Sequence, residues 1–342
     1  MKKNWWRLVL VLLLTLALLY FFFRSIEWHE VLDNIDNVNL WFLILSVLLA
    51  PVHLVTRAVR WRYLLHHEKE KVSLWNSVAA NAVGFTVTLT FPGRLGEIVK
   101  PLYLAQKEKM SKGFVLGTAV VERIFDIFTM CFLLGVFILA KPLYAAIFHI
   151  NEDMYSRLFF WGIMGMALAT GLLIVTLGLY FFKTPTMKLI SFVLRIIPER
   201  FRVKLLVLLE EFIEGMQFFR SPRTLLAYTF WSFVVWIGII VYYWIFFFGY
   251  HVRVPLFFIF PYTFMLMVGA SIPTPGMVGG FHSFSKVGLT SFYKINPNLA
   301  VAMTIVVHAI QVLMTCLIGY VILWREGTSL FQIKKIGEES GL

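Results

Sequence analysis

The chain has 342 residues, of which 59% are hydrophobic and only 15% charged, and its mean hydropathy is +0.79. That is more apolar surface than a soluble core of this length can hide, and several apolar runs reach membrane-spanning length, so the composition excludes a soluble enzyme and predicts an all-α polytopic integral membrane protein, one transmembrane domain over 1–342. The net charge of +12 does not argue for nucleic acid, because the basic residues concentrate between apolar runs, where topology signals and anionic-lipid contacts belong.

The first apolar run follows Lys2, Lys3 and Arg7 and ends at Phe21-Phe22-Phe23. No small-x-small cleavage site follows it, so it reads as an uncleaved span with its basic end in the cytoplasm. Residues 24–38 hold one basic and four acidic residues, which suits the outer face. A second span over 39–54 returns to a loop with Arg57, Arg60, Arg62, Lys69 and Lys71. This loop is expected in the cytoplasm, with Arg60-Trp61 as a head-group anchor.

Residues 73–91 are apolar only in part, with Asn76, Ser77, Asn81, Thr86, Thr88 and Thr90 along them. Were they a full span, the next connection, with Arg94, Lys100, Lys107, Lys109 and Lys112, would lie outside and break the positive-inside bias. A re-entrant hairpin over about 73–106 removes the conflict, with Pro92-Gly93-Arg94-Leu95-Gly96 as its turn inside the membrane.

Residues 113–140 read as a long outward span in which a rise of about 1.5 Å per residue puts Arg123 roughly 15 Å deep. Glu122 and Asp126 lie one turn apart and share a face. Residues 157–182 return inward. The stretch 183–223 mixes Lys and Arg with apolar residues and reads as an amphipathic helical section on the inner leaflet. Residues 225–248 then cross outward to His251 and Arg253. Residues 256–270 are too short to span comfortably and run into Pro273-Thr274-Pro275-Gly276-Met277-Val278-Gly279-Gly280-Phe281-His282. The last span, 299–323, ends before Arg325, Lys334 and Lys335 and so runs inward. A second re-entrant hairpin over about 256–294, entered from outside, keeps the crossings consistent. Both termini and Lys107 are then cytoplasmic, and Asp33, Glu152 and Lys294 external.

A weak internal repeat pairs the two hairpins. Pro92-Gly93-Arg94-Leu95-Gly96 resembles Pro275-Gly276-Met277-Val278-Gly279, and Glu122, Arg123 and Asp126 then fall opposite Val307, His308 and Gln311. Hairpins entering from opposite faces are the inverted-repeat pattern of transporters. Gly93, Gly96, Pro275, Gly276, Gly279 and Gly280 are expected to form the tight turns and close approaches.

These features resemble a known family, the flippase-like or lysylphosphatidylglycerol synthase transmembrane region family. The residues that carry the resemblance are Arg57-Ala58-Val59-Arg60-Trp61, Pro92 to Glu97 with Lys100-Pro101, Glu122-Arg123 with Asp126, and Pro273 to Gly280. The resemblance implies a bacterial inner-membrane protein that handles lipids, in some relatives moving aminoacylated phosphatidylglycerol between leaflets beside a separate aminoacyl-transferase domain. With the chain ending at Leu342, that domain and its chemistry are expected to be absent. The family pattern often has an acidic residue after the second glycine turn, where this chain has Phe281-His282.

The substrate-binding candidates are Arg94, Glu97, Lys100, Glu122, Arg123, Asp126, His282, His308 and Gln311. Ionisable groups at membrane depth are expensive and must face protein or a wet cavity. On one reading Arg94 and Arg123 face a lipid phosphate while the carboxylates orient them; on the other the charges are an ion cluster that holds the helices together. His282 and His308 are either proton-coupling groups or hydrogen-bonded packing residues. No Walker, Ser-His-Asp or metal-ligand pattern is visible, so no cofactor or metal is expected. Lipid translocation is the leading function. The rivals are a membrane-embedded transferase using Glu97 and Glu122 as acid and base, and an accessory subunit docking a synthase through 183–223. Expected partners are membrane phospholipids, a soluble or membrane-bound lipid synthase and a second copy of the chain in a homodimer.

Overall fold

The computed structural model describes residues 5–24, 26–144, 152–196 and 221–333, with isolated positions between 197 and 220. All regular structure among them is helical: α1 (Trp5–Phe23), α2 (Trp28–Asp36), α3 (Leu40–Leu49), α4 (Val52–Leu65), α5 (Leu74–Thr90), α6 (Gly96–Glu108), α7 (Lys112–Leu139), the short α8 (Lys141–Tyr144), α9 (Glu152–Phe181), α10 (Lys183–Val193), α11 (Pro222–Gly249), α12 (Ile259–Ser271), α13 (Gly280–Tyr293) and α14 (Pro297–Arg325). Three segments, Leu40–Leu65, Pro222–Gly249 and Pro297–Arg325, are long and apolar enough to cross a membrane, and Val9–Phe23 with Trp28–Asp36 passes the same test only as a pair bent by 80°, a broken span or a re-entrant loop. The protein is an all-α, multi-pass membrane protein.

The second span departs from expectation. Pro51 interrupts the backbone bonding between α3 and α4 without ending the segment, since it lacks an N–H but is tolerated at the start of a helix. The helical segment runs on to Leu65, and no Gly, Pro, Asn or Asp stands between Val52 and Leu65 to stop it. Arg57, Arg60 and Trp61 are therefore not in a cytoplasmic loop. All three are buried, and Arg60-Trp61 is not a head-group anchor.

Two helical hairpins fill the middle of the bundle. In each, a short 3₁₀ turn begins at proline, at Pro92–Arg94 and Pro275–Met277. In each turn the glycine and its successor take the left-handed conformation: Gly93 at φ 82° and Arg94 at 54°, Gly276 at 60° and Met277 at 59°. The sequence repeat is thus a repeat of backbone conformation. The arms close against each other through glycine: a Cβ on Gly96 would lie 1.8 Å from the Gly84 carbonyl oxygen, and one on Gly280 would lie 2.4 Å from that of Gly269. Gly279, at φ 91°, packs beside Leu18 of α1.

Each hairpin is also fastened at its base. Glu108, at the end of α6, accepts hydrogen bonds from the Ser73 N–H (3.1 Å) and Asn76 Nδ2 (2.7 Å) at the start of α5, and it pairs with Lys69. Tyr293 Oη donates to the Phe258 carbonyl at 2.5 Å, joining the ends of the second hairpin. The tips meet: Arg94 Nη1 donates to the Ser271 carbonyl at 3.0 Å.

Of the amphipathic section, Lys183–Val193 and Leu194–Ile196 are helical. The rest of it lies largely outside the described residues, as do Lys334 and Lys335.

Candidate functional site

Helix α7 is capped by Ser111, whose hydroxyl accepts from the Phe114 N–H, and its 28 residues carry Glu122 and Asp126 into the interior, both buried. Their oxygens are taken up by cations from three helices. From α4, Arg57 Nη1 reaches Asp126 Oδ2 at 3.0 Å and Glu122 Oε1 at 3.4 Å. Arg60 Nη1 donates to Asp126 Oδ1 at 2.6 Å, while its Nη2 lies 3.0 Å from Glu122 Oε1 as an ion pair without an aligned hydrogen bond. From α6, Lys100 Nζ donates to Glu122 Oε2 at 2.6 Å. Trp236 Nε1 of α11 adds a bond to Asp126 Oδ1 at 3.1 Å. Arg123 closes the set more loosely, with contacts of 3.2 Å and 3.5 Å and a side chain that is 37% exposed.

Aromatic rings line the cations. Lys100 Nζ lies 4.3 Å from the Trp61 ring centre, and the Arg57 guanidinium lies 5.6 Å from Trp236 and 5.9 Å from Phe85. Rings at these distances offset part of the desolvation cost of a buried cation through their quadrupoles. Among the described residues, four cations thus surround two carboxylates, leaving two excess positive charges.

Beside this cluster lies a cavity of about 320 Å³. Its wall is built from α3 to α5, α11, α12, the second turn, α13 and α14, and its polar groups include His53, Arg57, Tyr243, His308 and Gln311. His308 Nε2 is 3.1 Å from the Gly276 carbonyl of the second turn, and Gln311 Nε2 donates to Tyr243 Oη at 2.9 Å. The His282 ring stands 4.6 Å from His308, edge to face, but behind the cavity wall.

The sequence-predicted residues therefore fall into three groups. Lys100, Glu122, Arg123 and Asp126 meet in the ion cluster; His308 and Gln311 line the cavity, with His282 against His308. Arg94 and Glu97 pair with each other at the hairpin tip, 2.6 Å apart. Sequence reasoning missed Arg57, which joins cluster to cavity, and Arg60, which pairs within the cluster. Their spacing of three, on an unbroken helical segment, was the available signal.

The expected balance of Arg123 against Glu122 and Asp126 is also only part of what is present, because Arg57, Arg60 and Lys100 make the closer contacts. Cys131 and Cys316 are free thiols, the first buried and the second partly buried.

Residues 5–319 match the family model described as lysylphosphatidylglycerol synthase TM region. The chain is also similar to the UPF0104 membrane protein MJ1595 of Methanocaldococcus jannaschii, with 23% identity over 333 residues that cover 94% of this chain and 95% of that protein. A match of this extent takes in both hairpins, the ion cluster and the cavity, and the chain belongs to the lysylphosphatidylglycerol synthase transmembrane-region family.

Proposed function

We propose that the chain is a lipid translocase: two re-entrant hairpins entering from opposite faces hold a polar cavity at mid-depth, and a lipid head group passes through it while the acyl chains stay in the bilayer. The observation that carries this reading is the cavity itself, a mainly apolar chamber with polar groups from several helices, lined in part by residues of both hairpins and backed by a buried cationic cluster. Broken helices meeting near the midplane are where transporters of inverted-repeat design bind substrate. Opposite entry is supported by α14, which at 29 residues is about 43 Å long. The base of the first hairpin is tied to its far end, Lys107 Nζ lying 2.9 Å from Glu326, whereas the second hairpin runs directly into its start at Pro297.

On this reading Arg57, His308 and Gln311 meet the head group, and Lys100, Glu122 and Asp126 hold Arg57 in place. Arg123 supports the cluster from its exposed side, His282 steadies His308, and Arg94 with Glu97 latches the tips. The protein sits in the bacterial cytoplasmic membrane with both termini inside, without cofactor or metal, and a lipid synthase or a second copy is its protein partner. Transferase chemistry is disfavoured, because Glu122 is held by cations and Glu97 pairs with Arg94 at another place.

Reconstitution into liposomes with acyl-labelled lipids tests the proposal. Transfer between leaflets is the expected result. Chemical conversion of the lipid would make the chain a transferase, and neither transfer nor conversion would leave it an accessory subunit.

A further inference from the structure

We infer that the cavity takes a phosphodiester head group with net negative charge and no amino group, and that Arg57 is its ligand. This deepens the translocase reading and rests on it for the direction of use. The lining contains one arginine, two imidazoles and no carboxylate. The two nearest carboxylates have nothing to offer a cationic ligand: Glu122 and Asp126 already accept from Arg57, Arg60, Lys100 and Trp236. An ammonium entering here would leave water, find no anion and meet Arg57 instead.

The converse holds for an anion. Three arginines cannot release their protons, so even with a neutral lysine the cluster carries uncompensated positive charge in a water-poor interior. An anion entering from outside the protein would balance that charge. Arg57 is the group placed to receive it: it is buried to 6% exposure, it lines the cavity, and its Nε has no hydrogen-bond partner. A phosphodiester oxygen on that fork gains a charge-assisted bond of the kind arginine favours. The size agrees, since about 320 Å³ suits a head group and not two acyl chains as well. Val52 and Gly238, both exposed, form part of the rim on the lipid side and leave the chains a way out.

The test uses the full chain in liposomes with fluorescent phosphatidylglycerol, phosphatidylcholine or lysylphosphatidylglycerol, together with melting temperatures in each lipid. Phosphatidylglycerol is expected to move, and to stabilise the protein, at least about tenfold more effectively than lysylphosphatidylglycerol, the worth of one charged hydrogen bond. Arg57→Gln should abolish that preference, and Arg57→Lys should keep part of it. Asp126 in Arg57→Gln retains Arg60 and Trp236 as partners, so the variant keeps its fold.

Gln311→Glu supplies the independent arm, placing a carboxylate on the cavity wall and shifting preference toward lysylphosphatidylglycerol. Equal or faster movement of lysylphosphatidylglycerol by the parent would overturn the inference and leave the translocase reading intact. If no lipid moves, the translocase reading fails, and selective stabilisation by phosphatidylglycerol then decides the inference alone. Water-soluble glycerophosphoglycerol that stabilises the chain equally well would overturn the assignment to a lipid.

Discussion

Asp126→Asn is expected to be among the most damaging single changes in the chain. Its two oxygens hold Arg57, Arg60 and Trp236, and removing one partner of a buried charge pair costs about 3–5 kcal/mol because the others remain buried and unpaired. Arg123→Gln, at a half-exposed side chain with longer contacts, should cost no more than about 1 kcal/mol. Melting temperatures in one detergent rank the two, and a larger loss for Arg123→Gln would mean that the centre of the cluster has been misplaced. The combined Glu122→Gln, Arg123→Gln, Asp126→Asn variant does not neutralise the site, since Arg57, Arg60 and Lys100 persist; it should express poorly. At this scale the sequence was a partial guide. Glu122 and Asp126 stand out because carboxylates inside an apolar run have few explanations, whereas Arg57 and Arg60 follow an apolar run and look like a topology signal. Their partners lie 65 and more residues away, and nothing local announces that pairing.

The hairpins behave as units because their arms touch backbone to backbone. Gly96→Val and Gly280→Val are each expected to cost at least about 3 kcal/mol, the upper range for overpacking, because the neighbouring atom is a carbonyl oxygen that cannot rotate away. Leu95→Ile is the control expected to be silent, and thermal stability matching the parent in either glycine variant would show that the arms separate freely. At the base of the first hairpin, burial works against ionisation of Glu108, yet hydrogen bonds from Lys69, Asn76 and the Ser73 N–H outweigh it and hold the carboxyl below its ordinary range. The stability this group contributes is therefore complete above the ordinary value of about 4.3 and lost as the pH falls through the lower folded value. Glu108→Gln should be less stable at neutral pH and show a shallower acid loss than the parent. Acid-melting curves that differ only by a constant offset would contradict this. The hairpins were legible because Pro-Gly turns flanked by half-length apolar runs have a local cause. The continuation of α4 was not, since Pro51 and the basic residues beyond it both mimic the end of a span.

For the whole molecule, the opposite entry proposed for the two hairpins makes a sidedness prediction. Single cysteines at Lys107 should react from the cytoplasm only, and those at Asp33 and Lys294 from outside only. Lys107 labelled only from outside would turn the first hairpin into a true span and remove the inverted arrangement from the translocase proposal. The all-α membrane class was readable from composition, but of the six full spans expected, those over 113–140 and 157–182 are not among the described helices long and apolar enough to cross a membrane. The cavity was not readable, because its wall is assembled from segments between Leu49 and Thr315.

The first hairpin leans on the last helix. Thr86 of α5 donates to the Thr315 carbonyl of α14, 229 residues later, and Gly319 leaves room for the same threonine. During synthesis, then, α5 leaves the ribosome long before the surface that accepts its buried Thr86 exists. The insertion machinery has to shelter a polar, half-length segment until α14 arrives and closes the bundle around it. A nascent chain halted before Pro297 would carry every cation of the cluster, lack His308 and Gln311, and present an unfinished hairpin to the membrane's quality-control proteases.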